Sequence, residues 1–455
     1  MAPVHSRVAS HERDADRSSK LLRNARENAT KLHKYNSLAT RLKIYDEFRA
    51  RNDNKEPYEW QMDVAEALVL GLDCTVIAGT GAGKTMPFVM PLFVHPEKHI
   101  IVISPLNALE QDQAARFRKM NLTAVAVNGE TYNKNLHNEL EKRKHQVIVT
   151  SPEMCLKHDQ FRQLLSSPAF AQRIAAIIID EGHCISQWGE KFREDYMLLG
   201  TLRAFVPAHV PFLVTSATLP PPVLAQVRSV VHIQPSTSYH VNLGTDRPNI
   251  AWEVRHMKAG KSDLSSLSFL LPQSRGGEGT ENGFKQTLVF GDDINVLMSA
   301  CRWLRENSPA ELRDKIAVYH SRRTARAKKI VLEGFRNATI NILFTTEAAG
   351  MGCDMPHIEQ VVQFMVPASL SIWMQRAGRA GRSIEIRARA ILLVQPTVFQ
   401  EKNPKLAVTK DPDKENQTVY VKAVEEGLRA WIETTGCRRD VSDEYFDSGA
   451  ERKRT

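Results

Sequence analysis

Six short runs that are apolar at nearly every position lie between residues 72 and 240, at 75–77, 100–103, 124–127, 147–149, 176–179 and 212–214, with helix-length polar segments between them. A strand open to water on one face alternates apolar with polar residues, whereas a strand apolar throughout is covered on both faces. Helices supply that cover in a β-α-β rhythm, so the pattern predicts a parallel sheet. The rhythm restarts after a turn-rich stretch at 235–248, with runs at 288–290, 316–318, 342–344, 361–364 and 390–393. The expected fold class is therefore α/β, as two tandem domains with parallel β-sheets at 51–240 and 241–400. Residues 1–50 read as a polar, basic N-terminal extension, a frayed tail followed by helices over 21–48. Residues 401–455 read as a C-terminal tail in which 421–432 forms one amphipathic helix. The glycine-rich insertion at 274–283 (SRGGEGTENG) is expected to be a mobile surface loop.

A chain of 455 residues has room for about two to four domains, each with its own core. Its longest apolar runs fall far short of the roughly 20 residues that cross a bilayer, so no membrane partner is expected. The amino terminus lacks a positive head before an apolar stretch, and Glu12, Asp14 and Asp16 argue against a transit peptide. Six cysteines are scattered without a CxxC pair, which indicates neither a disulfide framework nor a complete zinc site. Lys and Arg total 61 against 52 acids, a net charge of +9. That excess favours a polyanionic partner, with a solvated basic surface as the bland alternative. The expected location is nuclear in a eukaryote and cytoplasmic otherwise. The basic end Glu451-Arg452-Lys453-Arg454 reads either as a nuclear signal or as a solvated tail.

The run at 75–77 leads straight into Ala78-Gly79-Thr80-Gly81-Ala82-Gly83-Lys84-Thr85, followed by a segment that reads as helix. This is the context a phosphate-binding loop requires. Glycines let backbone N–H groups turn inward around phosphates, Lys84 reaches the β- and γ-phosphates, and Thr85 offers its hydroxyl to Mg²⁺. Ala78 stands where the general pattern has its first glycine. Pro87 falls in the first helical turn, where its missing donor costs little. The run at 176–179 ends in Asp180-Glu181-Gly182-His183. Two acids at the carboxyl end of a buried strand suit a metal ligand, Asp180, beside a base for the attacking water, Glu181. The expected cofactors are ATP and Mg²⁺.

The order of these residues resembles the RecQ family of superfamily 2 DNA helicases over residues 45–440. The resemblance implies two RecA-like domains, 3′-to-5′ movement on single-stranded or tailed duplex DNA, and a role for each matching motif. Gln61, in Tyr58-Glu59-Trp60-Gln61, is similar to the family's adenine-reading glutamine. Ser104-Pro105-Leu106 with Asp112-Gln113, and Ser151-Pro152-Glu153, match strand-contact motifs. Ser216-Ala217-Thr218 matches the motif that couples hydrolysis to domain movement, and His183 is placed with it. The stretch from His183 to Tyr196 resembles the aromatic-rich loop of RecQ proteins, with Trp188 and Phe192 suited to stacking on unpaired bases and Arg193 to a phosphate.

In the second domain, Tyr319-His320-Ser321 matches a strand-contact motif, so His320 and Ser321 are nucleic-acid candidates. The stretch from Thr345 to Pro356 is similar to a motif touching both strand (Thr346) and nucleotide (Asp354). Gln375-Arg376-Ala377-Gly378-Arg379-Ala380-Gly381-Arg382 matches the QxxGRxGR pattern, with Gln375 as a coupling residue. Arginines three apart sit on neighbouring positions of a helical turn, so Arg379 and Arg382 are expected to reach a γ-phosphate together as arginine fingers. Near the carboxyl end, Cys437-Arg438-Arg439 resembles the start of the family's zinc-binding region, with Cys437 as first ligand. The sequence ends before the other three and before the winged-helix domain, so zinc and strong unwinding are not expected. Two other readings remain: an RNA-directed helicase, since stacking and phosphate contacts do not by themselves tell DNA from RNA, and a nucleic-acid-binding protein with decayed catalysis.

Overall fold

A computed structural model of the chain describes residues 4–186, 191–272, 283–349, 355, 357–383, 385–402 and 420–448. The insertion at 274–283 falls outside the described residues except for Gly283, and the basic end 451–454 falls outside them entirely. Two compact units form: Met1–Thr245 with Asp443–Thr455, and Asp246–Ser442.

The first unit holds a seven-stranded sheet made of β1 (Cys74–Ile77), β2 (His99–Ile103), β3 (Ala124–Val127), β4 (Val147–Thr150), β5 (Ile174–Ile179), β6 (Phe212–Ser216) and β7 (Tyr239–Asn242). Its order is β3-β4-β2-β5-β6-β1-β7, with every pairing parallel. The second unit holds β8 (Ile250–His256), β9 (Thr287–Phe290), β10 (Ile316–Tyr319), β11 (Ile342–Thr345), β12 (Gln360–Phe364) and β13 (Ala388–Val394), ordered β10-β11-β9-β12-β13-β8 and again wholly parallel. Strands β1, β2, β4 and β6 are buried at every position, as continuous apolar runs in a doubly covered sheet require.

Two strands were not foreseen. β7 lies inside the stretch expected to be turns, and β8 follows it directly. Both are edge strands and mix polar with apolar residues (Tyr-His-Val-Asn in β7), because an edge strand needs no cover from a second neighbour. The helix expected over 421–432 is shorter, Glu426–Glu433. Glu425 sets its start by acting as N-cap, accepting from the Leu428 N–H at 2.9 Å. Trp431 from this helix packs edge-on against Trp252 and Trp373, each at 5.9 Å between ring centres, which seats it in the second unit.

The N-terminal extension folds as α1 (Val4–His33) and α2 (Ser37–Arg51), and it is docked rather than loose. Both helices converge on Glu66 of α3 (Glu59–Val69). That carboxylate is fully buried. It receives Arg26 from α1 at 2.6 Å, Arg41 from α2 at 3.0 Å, Ser37 at 2.5 Å and Tyr35 at 3.1 Å. A buried charge without partners would be costly, so these donors and Glu66 require one another. Glu66→Ala strands two part-buried arginines and is expected to lower stability by about 2–3 kcal/mol. Urea unfolding measures that loss, and faster proteolytic release of α1 should accompany it.

Candidate active site

Three adjacent strands, β5, β6 and β1, end on one edge of the first sheet, and each delivers a chemical group there. Neighbouring strands lie about 4.8 Å apart, so the ends of β5 and β1 are roughly 10 Å apart. The carboxyl edge of an open parallel sheet is where α/β proteins bind ligands.

β1 runs into the loop from Ala78 to Thr85. Gly81 and Gly83 turn the chain with φ of 91° and 82°, values open to glycine but strained for other residues. Gly83 also admits a close neighbour: a Cβ there would stand 2.6 Å from Gln61 Nε2. Gln61 is buried, donates to the Gly83 carbonyl at 3.0 Å and accepts from the Tyr58 N–H at 2.9 Å. Its amide therefore ties α3 to the phosphate loop. Lys84 donates to the Ala78 carbonyl at 2.7 Å, lying across the loop it belongs to. The helix expected after the loop is broken into two turns, Met86–Val89 and Pro91–Val94. Pro91 has no N–H for the Pro87 carbonyl four residues earlier, which explains the break.

β5 ends in Asp180. Its carboxylate accepts from Gln113 at 2.7 Å, from Thr215 of β6 at 3.0 Å and from the Glu181 N–H at 2.9 Å. Only 7% of the residue is exposed. Burial, and then the Glu181 charge, push its pKa up to about 6, against the opposing pull of Lys84. Gln113 and Thr215 are hydrogen-bond partners that sequence reasoning did not assign to the acid. The available signal was a threonine followed by a serine at the end of an apolar strand and a glutamine on a helix face shared with buried Ala114 and Phe117.

Glu181 takes a left-handed backbone, φ 52°. Its carboxylate pairs with His183 Nδ1 at 3.2 Å, and the same nitrogen lies 3.1 Å from Ser216 Oγ at the end of β6. Burial works against the charged ring, but Cys184 and the Glu181 carboxylate outweigh it and raise His183 to about 10. Ser216 in turn accepts from the Thr218 N–H at 3.3 Å. The acid pair and the Ser216–Thr218 segment are thus one hydrogen-bonded chain.

A divalent cation fits this donor set. Asp180 is a buried carboxylate held by neutral donors and crowded by a second acid, the setting that a positive ion relieves.

Other candidates are placed as follows. Ser104 is wholly buried with its hydroxyl lacking a partner among the described residues, and Pro105 is buried beside it. Trp188 lies outside the described residues, as do the side chains of Phe192 and Arg193 and all of Asp354. In the second unit, His320 is buried and Ser321 exposed at the end of β10, while Thr346 is half-buried at the end of β11. Gln375 is buried on the helix Leu370–Ala377. The arginines do not share a helical turn as expected. That helix stops at Ala377, Arg379 lies in the turn beyond it, and Gly381 with φ of 55° carries Arg382 into an irregular segment. Arg376 is committed elsewhere, paired with Asp292 at 2.8 Å and Glu347 at 2.8 Å. Cys437 is exposed, and among the described residues no group of three or more His, Cys, Asp or Glu side chains is placed to hold a metal. No described helix is long and apolar enough to cross a membrane.

A phosphate loop facing paired acids on the carboxyl edge of a parallel sheet defines a nucleotide-hydrolysing core. The DEAD/DEAH box helicase family matches residues 58–227, and the helicase conserved C-terminal domain matches residues 269–383. The ATP-dependent DNA helicase RecQ of Pasteurella multocida is 27% identical over 85% of this chain and 57% of its own length. A putative ATP-dependent RNA helicase of Acanthamoeba polyphaga mimivirus is 26% identical over 92% of this chain and 71% of its own. Among solved structures, Mycobacterium smegmatis helicase Lhr bound to ssDNA and AMP-PNP aligns with a TM-score of 0.56 at 18% identity, over 78% of this chain and 47% of its own, a likeness of fold. The chain thus carries a DEAD/DEAH box helicase domain followed by a helicase conserved C-terminal domain, and it is similar to RecQ-type helicases. It spans a little over half the length of the RecQ relatives it matches.

Two variants test the packing of this site. At Gly182 a Cβ would meet Val214 Cγ1 at 2.4 Å. Gly182→Ala is expected to cost about 1–3 kcal/mol, and Val214→Ala in the same chain to recover part of it, as read by a double-mutant cycle in urea. Asp180→Asn should act in the opposite direction. A carboxyl whose folded pKa is raised contributes stability below its unfolded value, near 4, and loses it as pH rises through about 6, so at pH 7 the charged form is a burden. The amide removes that charge, and Gln113 can turn its oxygen toward it. The nucleotide-free variant should therefore melt a few degrees higher at pH 7, by about 1 kcal/mol, while ATP turnover is lost.

Proposed function

We propose that this chain is an ATP-dependent DNA helicase or translocase of RecQ type, which couples hydrolysis to 3′-to-5′ movement on single-stranded or tailed duplex DNA. The observation that carries the reading is the convergence of the phosphate loop, the acid pair and Ser216–Thr218 on three adjacent strand ends.

In this reading Lys84 exchanges the Ala78 carbonyl for the β- and γ-phosphates, and the loop backbone from Gly79 to Gly83 cradles them. Thr85 and Asp180 hold Mg²⁺, which supplies charge neutralisation at the phosphates when bound. Glu181 orients the attacking water and takes its proton, with the charged His183 setting the carboxylate's direction. Because His183 also touches Ser216, a change at Glu181 during hydrolysis is transmitted to the Ser216–Thr218 segment. Arg379 and Arg382 stabilise transition-state charge, and Asp354 contacts the nucleotide. Trp188, Phe192, Arg193, Ser321 and Thr346 contact the strand, by stacking or through phosphates. Buried Ser104, Pro105 and His320 shape the surface beneath it.

Steady-state ATP hydrolysis without nucleic acid, with single-stranded DNA and with single-stranded RNA tests the proposal, with Lys84→Ala as the blank. DNA should stimulate turnover strongly, and Lys84→Ala should abolish hydrolysis while strand binding stays measurable. Equal stimulation by RNA would favour an RNA-directed helicase, in keeping with the mimivirus relative. Retained turnover in Lys84→Ala would sink the site assignment.

A further inference from the structure

Beyond Ala377 the N–H groups of the segment carrying Arg379 and Arg382 are tied back in short turns, Gly378 to the Met374 carbonyl at 2.8 Å and Ala380 to the Ala377 carbonyl at 3.0 Å, and Gly381 donates to the Ile358 carbonyl at 2.8 Å, while its own carbonyls are gathered on a few side chains from a distant part of the chain. Arg247 donates through Nη1 to the Gly378 carbonyl at 3.3 Å and through Nη2 to the Ala380 carbonyl at 3.3 Å, and it also contacts the Gly381 carbonyl. Asn249 Nδ2 lies 2.7 Å from the Gly381 carbonyl, 2.9 Å from that of Ile386 and 3.1 Å from that of Ser383. A cation placed against the carbonyls that follow a helix end also complements the negative end of the helix. Gly381 is what permits the fit. With φ of 55°, it would place a Cβ 2.6 Å from Asn249 Nδ2.

Arg247 and Asn249 are in turn held from the other side. Arg439, from the helix Arg438–Phe446, pairs with Asp246. It also donates to the Arg247 carbonyl at 3.0 Å and to the Ile250 carbonyl at 2.7 Å. Its planar fork thus fixes the backbone on both sides of Pro248, just before β8 begins. Arg379, nine-tenths buried, has an Nε with no partner among the described residues, as suits a guanidinium kept for a ligand.

We propose that Arg439, Arg247 and Asn249 are positioning residues for the arginine loop: Arg439 sets the backbone of residues 246–250, and the two side chains it presents set the carbonyl side of residues 378–383. The inference rests on the helicase reading above, and it makes the rate of hydrolysis answer to a contact from the C-terminal segment. The stretch beginning at Cys437, which resembles the start of a zinc-binding region, here works through its arginine.

The test compares Arg439→Ala, Arg439→Lys and Asn249→Ala with the full wild-type chain. A misplacement of about 1 Å in a charge-stabilising group lowers turnover by about 10–100-fold. Strand-stimulated kcat should fall by about that factor in Arg439→Ala and Asn249→Ala, with KM for ATP within about twofold and Arg439→Lys in between. Affinity for ADP with aluminium fluoride, which mimics the transition state, should fall by the same factor while affinity for ADP alone is kept. Equal losses for both nucleotides, or unchanged kcat in a folded variant, would overturn the proposal. Amide hydrogen exchange over residues 378–386 reads the clamp without hydrolysis and should quicken in both alanine variants. Unchanged exchange there overturns the clamp, whereas absent turnover in the wild-type chain overturns the helicase reading instead.

Discussion

Everything at the nucleotide edge turns on one buried carboxylate. Asp180 sits at the end of a strand apolar on nearly all sides, where a negative charge is poorly solvated, and the surroundings are arranged to tolerate it. Gln113 reaches in from a helix, Thr215 from the neighbouring strand and Lys84 through its field. The next residues inherit the constraint. Glu181 must turn left-handed to leave the strand, and Gly182 must be side-chain-free because Val214 occupies the space. The turn then delivers His183 to both Glu181 and Ser216. A strained backbone and a charge held in an apolar setting are what a chain optimised only for stability would shed.

The same logic extends outward through α3. Gln61 at its start holds the phosphate loop through Gly83, and Glu66 a turn later anchors α1 and α2. The N-terminal extension is thus part of the support for the nucleotide loop. In the second unit the roles of the three motif arginines are divided by burial and partners. Arg376 is locked between Asp292 and Glu347, whereas Arg379 is nine-tenths buried with an Nε that meets no hydrogen-bond partner among the described residues.

The sheet strands were legible because a parallel strand covered on both faces has no polar alternation to confuse its reading; the runs at 100–103 and 342–344 lie within β2 and β11. β7 and β8 escaped notice because edge strands are released from that rule. The phosphate-loop and acid-pair motifs were legible because each is local in sequence. Gln113 as a partner of Asp180, and the grip of Arg439 on residues 246–250, were not, since 67 residues separate the first pair and 189 or more separate Arg439 from that segment. Hydrogen bonds at such separations leave no periodic trace. The arginine geometry was misjudged for a local reason: spacing by three suggests a shared helical face, but the helix stops at Ala377 and Gly381 takes a positive φ.

The sequence by itself determined the α/β class, the tandem sheets and the phosphate-loop and acid-pair motifs, because apolar periodicity and short glycine- or acid-bearing motifs are set by neighbours within a few residues. Only the tertiary structure decided which donors make Asp180 tolerable, why Gly182 admits no side chain, and how the loop of Arg379 and Arg382 is held. Those outcomes depend on which strands lie side by side and which side chains meet across the sheet edge, and no residue carries that information until the chain has closed on itself.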